Sequence, residues 1–144
     1  MKLSPNFSLE ELIFSQVASR RGIDNTPTPK VKDNLERLAF FLEQIRKLFN
    51  KPLLISSGYR SREVNETVGG SKTSQHCEGC AADFNVKGMS PSTVVRTIVD
   101  ANIPYDQVIL EFDSWVHISI PNSKDMPPRK QALIIDNKGK RDYK

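Results

Sequence analysis

Histidine is scarce in this chain of 144 residues, with two copies, and cysteine is no commoner. Any site built on imidazole can therefore use only His76 and His117, and a four-thiolate metal site is excluded. Long apolar runs are missing too. Stretches such as LAFFL at 38–42 and VILEF at 108–112 fall far short of the roughly 20 apolar residues that cross a bilayer, so no membrane span is expected. The opening MKLSPNFSLEEL lacks a basic start, an apolar core and a small-residue cleavage site, so no signal peptide is expected either. Strong charge of one sign is absent, with 21 Lys+Arg against 17 Asp+Glu for a net +4. Seven of the basic residues gather in KDMPPRK and NKGKRDYK near the C-terminus. No series of aromatic side chains interleaves with them as a single-strand binder would require, so a nucleic-acid partner is not expected.

What is present fits one compact domain spanning residues 1–144, because a chain of this size buries about two-thirds of its unfolded surface without staples. Cys77 and Cys80 form a C-x-x-C that could be a redox pair, half of a zinc knuckle or two small thiols. With no second C-x-x-C and no signal peptide, reduced core residues are the expectation. Residues 6–18 read as one amphipathic helix, with Ser8 and Glu11 as a capping box and Leu9, Leu12, Ile13 and Val17 on one face. A longer helix is expected from Pro29 to Phe49, stopped by Asn50-Lys51-Pro52, and another from Pro91, capped by Ser90, to Val99. LLISS (53–57) and AADFNV (81–86) read as strands flanking a loop-rich stretch. QVILEF (107–112) and WVHISI (115–120) read as a hairpin turning at Asp113-Ser114. Residues 121–144 read as a basic extension with an edge strand at 133–136 and a tail. Helices first and antiparallel strands later make an α+β domain the economical class.

His76 and Asp83 are separated by a turn containing Gly79, which lets a loop residue and a strand residue point at one centre. If the hairpin loop is Asp113 to Trp115, Glu111 pairs with His117 and their Cβ atoms lie roughly 4.5–5.5 Å apart. Two imidazole nitrogens and one carboxylate, with a fourth position for water, form the ligand set of a catalytic zinc centre. A second carboxylate nearby is the proton carrier such a centre needs. The residues alone leave two readings open, since a strand His can equally be a part-buried polar residue and an Asp after Ala-Ala can merely cap a turn.

The words around these residues add a resemblance. SGYRS at 57–61, SQHCEGCAADFNV at 74–86 and ILEFDSWVHIS at 109–119 resemble, in order and spacing, the zinc D-alanyl-D-alanine carboxypeptidase family, which includes peptidoglycan-cutting peptidases and phage endolysins. The key element is Ser-x-His-x-x-Gly-x-Ala-x-Asp, present as Ser74, His76, Gly79, Ala81 and Asp83. NFSLEEL and RRGIDNTP are similar to the single-domain phage and prophage members, so the resemblance covers roughly residues 6–120.

The resemblance implies His76, Asp83 and His117 as ligands of one zinc, Arg60 as the cation that holds a substrate carboxylate or stabilises the oxyanion, and Ser74 as a substrate contact. Many members carry an acid three positions before the last histidine, where this chain has Ser114. Glu111 and Asp113 are the substitutes for catalytic acid/base. Glu111 is favoured because it faces the His117 side, and hedgehog domains, related in fold, resemble the same Glu-then-five-residues-then-His order. Gln75 either contacts substrate or turns its loop, and Trp115 either lines the cleft or packs in the core. Asn65, with Gly69 and Gly70, is expected to shape the loop that joins Arg60 to His76.

The expected architecture is then N-terminal helices packed on a small antiparallel sheet with the zinc cleft on one face. The expected function is hydrolysis of a peptide bond in bacterial peptidoglycan stem or cross-bridge peptides by a monomer. The protein would be made in the cytoplasm and would reach the wall on lysis or by another export route, in a phage or prophage setting. The rival expectation is a non-catalytic, zinc-stabilised module that binds cell wall or a virion partner.

Overall fold

A computed structural model describes residues 1–143. Strands β1 (Lys2–Ser4) and β2 (Phe7–Ser8) pair with each other and lead into α1 (Leu9–Ile13) and α2 (Gln16–Arg21). Helix α3 (Pro29–Phe49) follows, then β3 (Leu53–Ser57), α4 (Arg62–Thr67), a 3-10 turn at Gln75–Glu78 and β4 (Ala81–Val86). Helix α5 (Pro91–Asp100) precedes β5 (Gln107–Glu111), β6 (Trp115–Ser119), β7 (Gln131–Asp136) and β8 (Gly139–Asp142). The result is an α+β fold, with six strands in one sheet in the order β3-β4-β6-β5-β7-β8. No helix among the described residues is long and apolar enough to cross a membrane.

Period-two alternation divides the sheet into a core face and an open face. Phe84, Val108, Leu110, Val116 and Ile118 are buried in the core with Leu35, Leu38 and Leu42 of α3 and Val94, Val95 and Ile98 of α5. The alternate positions Asp83, His117 and Ile109 form a cross-strand row on the other face. Both long helices start where the local chemistry favours it. Thr28 and Ser90 accept hydrogen bonds from backbone N–H groups of the first turns of α3 and α5, and each helix carries a Pro in that turn.

The single helix expected over 6–18 is instead two short ones. Phe14 is extended, Ser15 caps α2, and the Leu12 carbonyl accepts from the Tyr59 N–H at 2.7 Å. A competing N-cap and a tertiary hydrogen bond outweigh the continuous amphipathic pattern. The loop-rich stretch between β3 and β4 contains α4 and the 3-10 turn, and its ends are joined by the Arg60 N–H donating to the His76 carbonyl at 3.1 Å.

The hairpin register is two residues from expectation. Glu111 pairs with Trp115 and Ile109 with His117, because the turn begins at Phe112, whose φ of 54° is left-handed, as is that of Asp113 at 51°. A left-handed aromatic is a conformation its sequence does not advertise. A slip of two preserves the face, so Glu111 and His117 still project from the same side.

The C-terminal segment also departs from a simple tail. The edge strand expected at 133–136 extends over Gln131–Asp136, pairs parallel to β5, and is itself covered by β8. Leu133 is buried and Ile134 packs against the core. Truncation after residue 124 should therefore strip two strands from the sheet and lower the melting temperature by roughly 10 °C or more in a thermal scan. An unchanged melting temperature would mark the segment as dispensable.

Candidate metal centre

Three donor side chains converge on the open face. Asp83 and His117 are opposite one another in the β4–β6 register, and His76 reaches them from the 3-10 turn. Their ligand atoms lie within 4.8 Å of one another, the one such group of His, Cys, Asp and Glu among the described residues. His76 Nε2 is 3.3 Å and His117 Nδ1 3.0 Å from the same oxygen, Asp83 Oδ1. A tetrahedral ion with bonds of about 2.0–2.1 Å needs its ligand atoms about 3.3 Å apart, so both distances to Asp83 suit zinc.

The tautomer of His76 explains why an ion fits. Its Nδ1 lies 2.7 Å from the Gly58 carbonyl, which can only accept, so the proton is assigned to Nδ1 and the lone pair to Nε2. That Nε2 is buried and has no hydrogen-bond partner, although it faces a carboxylate oxygen. Two lone pairs turned toward one another in a site where His76 is 2% exposed call for a cation between them. Burial opposes ionisation of Asp83, but positive charge on protonated imidazoles beside it would overcome that and hold the carboxyl well below the usual aspartate range.

Glu111 stands beside this group, its Oε2 3.8 Å from His117 Nδ1. Burial, reinforced by repulsion from Asp83, pushes its carboxyl above the ordinary glutamate value, against the pull of His117 and Arg60. Asp113 lies exposed in the turn, and the Ser114 hydroxyl donates to the Phe112 carbonyl at 2.9 Å. The position three before the last histidine thus closes the hairpin here. Trp115 sits opposite Glu111, stacks at a tilt on Phe112 and has its indole N–H buried short of hydrogen-bonding geometry with any partner.

Arg60 is held from behind. Its Nη1 donates to Asn65 Oδ1 at 3.0 Å, and Asn65 in turn donates to the Ser71 carbonyl, while Arg60 Nε is buried without a partner. Arg60 and Asp83 share a recess of about 310 Å³. On the other side, His117, Ser74 and Gln75 border a cavity of about 600 Å³. Ser74 caps the 3-10 turn by accepting from the His76 N–H. Gln75 donates from its amide to Asp106, to the Ile120 carbonyl and to Asn122.

Cys77 and Cys80 are free thiols outside the converging group. Cys80 is fully buried, and that burial pushes its thiol up to about 11, which suits a small core side chain and not a redox or metal-binding thiolate.

The sequence model of the family described as Peptidase M15 matches residues 5–119, about four-fifths of the chain. The chain belongs to the M15 family of zinc D-Ala-D-Ala carboxypeptidase-type peptidases. No curated protein matches it significantly. M15 peptidases are zinc-dependent, and the converging His, Asp and His of this member fit that requirement.

Two residues that serve this M15 site went unsingled in the sequence. Gly58 presents the carbonyl that orients His76, and a Cβ there would run into the Leu12 carbonyl of α1. Its only signal is its place before Tyr59-Arg60. Asp106, 4% exposed, accepts from the Arg129 backbone and guanidinium and from Gln75, tying the C-terminal segment to the loop of His76. Nothing local marks an aspartate after Pro104-Tyr105 as buried.

Gly58→Ala should weaken zinc affinity about 10- to 100-fold in a chelator competition, because the displaced carbonyl no longer fixes the His76 tautomer. Zinc affinity unchanged in a folded variant would show that the carbonyl is not needed. For Asp106, burial works against ionisation, yet the Arg129 and Gln75 bonds hold its carboxyl below the ordinary aspartate range. Its stabilisation is therefore fully present well above the unfolded value of about 4 and is lost as the pH falls through the depressed native value. Urea unfolding should show Asp106→Asn less stable than the parent at pH 6, with the gap narrowing as the pH falls below about 4.

Proposed function

We propose that this M15 peptidase hydrolyses a peptide bond in the stem or cross-bridge peptides of bacterial peptidoglycan, with one zinc held by His76, Asp83 and His117. One observation carries the metal assignment: the buried, unpartnered His76 Nε2 aimed at Asp83 Oδ1, with His117 Nδ1 on the same oxygen. The substrate class follows from the motif resemblance together with the open face on which the site lies. Zinc at these ligands supplies a water of lowered pKa and a polarised scissile carbonyl.

The chain's own residues supply the rest. Glu111, its carboxyl beside the ligand group, is suited to take a proton from the attacking water and return it to the leaving amine. Its place 3.8 Å from His117 puts it at the edge of the ligand group, whereas Asp113 is out in the turn. Arg60 offers a part-exposed guanidinium from a side chain already held by Asn65, so little ordering is left to occur when it meets a substrate oxygen. Ser74 and Gln75 border the opposite side of the cleft as substrate contacts, and Trp115 lies opposite Glu111 across the hairpin as a further one.

Mass spectrometry of muropeptides after digestion of purified sacculi tests the proposal and identifies the bond. The parent protein should carry about one zinc and release new amino groups. Glu111→Gln should keep the metal and lose about 10²- to 10⁴-fold in rate. Full activity in that variant would move the acid/base role to Asp113, and no release by zinc-loaded parent protein would favour a non-catalytic wall-binding module.

A further inference from the structure

The open face continues past the metal ligands into residues that the M15 match does not reach. The registers place Trp115, Glu111, Ile135 and Lys140 in one row across β6, β5, β7 and β8. Two strand spacings of about 4.8 Å separate Glu111 from Lys140, so a group held at Lys140 lies about 10 Å from the proposed proton carrier. The 600 Å³ cavity is lined by His117 and Ile109 of the ligand row and also by Met126, Arg129 and Lys140.

The charges on these C-terminal residues are not equivalent. Arg129 is committed to the buried Asp106, its Nη2 2.6 Å from Oδ2. Arg141 forms an ion pair with Asp136. Lys140 has no carboxylate within ion-pair distance among the described residues, and Asp142, on the same face of β8, forms no ion pair with it. Gln75 also lines this cavity, and its Oε1 is buried without a partner. The metal ligands therefore lie between two recesses, one holding Arg60 and the other Lys140.

We propose that Lys140 is a specificity-determining residue, which binds a carboxylate of the substrate on the β8 side of the cleft and so selects acidic peptides over neutral ones. The inference rests on the peptidase reading above and deepens it. An extended chain advances 3.3–3.6 Å per residue, so about 10 Å corresponds to about three residues. The preferred substrate continues about that far on this side of the scissile bond, which a dipeptide cannot do.

The test uses zinc-loaded Glu111→Gln protein, which leaves peptides intact, and calorimetric binding of two stem peptides, L-Ala-D-Glu-L-Lys-D-Ala-D-Ala with the free glutamyl carboxyl either ionised or amidated. The carboxylate form should bind about five- to tenfold more tightly. Adding Lys140→Ala should bring that ratio close to one, Lys140→Glu should invert it, and Lys140→Arg should keep it. Equal binding of the two peptides, binding of neither, or a preference that survives Lys140→Ala overturns the proposal. Hydrolysis by the unsubstituted protein is followed in parallel. A preference that depends on Lys140 without any cleavage supports the carboxylate site and condemns the peptidase reading, whereas cleavage without a preference condemns Lys140 alone.

Discussion

The 2.7 Å hydrogen bond from His76 Nδ1 to the Gly58 carbonyl sets the tautomer of a buried imidazole and, with it, the direction of a lone pair. The lone pair points at Asp83, which the β4–β6 register has already placed against His117. Gly58 can offer its carbonyl only because it lacks a Cβ and lies against α1, whose Leu12 carbonyl takes the next N–H of the loop. The break between α1 and α2, the Gly-Tyr-Arg loop and the 3-10 turn are thus parts of one arrangement. It delivers a donor atom to a strand pair that holds the other two.

Much of this was legible because it is local. The 3.6-residue pattern of α3 and the caps of α3 and α5 specify their starts without tertiary help. Histidine scarcity did more: with His76 and His117 as the sole imidazoles, any two-imidazole centre had to use both, and the structure brings them together with Asp83. The face shared by Glu111 and His117 survived an error of two in the register, since side chains in a strand repeat every two residues. An error of one would have put Glu111 in the core.

What was illegible depends on distant parts of the chain. Ser15 becomes an N-cap only because the Leu12 carbonyl is drawn to Tyr59, and Phe112 becomes a turn residue although aromatic side chains avoid left-handed backbone. The C-terminal segment reads as a basic tail because its charges dominate its composition. Its alternate residues Leu133 and Asp142 in fact align in the row of Ile109 and His117, so the segment widens the sheet that carries the ligands. Asp106 fastens that addition by satisfying Arg129 and Gln75 together, at a position no motif marks. The same neighbours that escaped notice in the sequence therefore link the cavity wall to the loop of His76.

The C-x-x-C supplies the sharpest contrast for the metal assignment, because Cys77 and Cys80 lie in the same motif as His76 and would give a different scatterer at the ion. Zinc K-edge X-ray absorption on the loaded protein reads that difference directly. The account predicts nitrogen and oxygen neighbours alone, at about 2.0–2.1 Å, with imidazole outer-shell scattering from two histidines. A sulfur shell at about 2.3 Å would contradict it, placing the ion on the cysteines and leaving the converged His76, Asp83 and His117 without their metal.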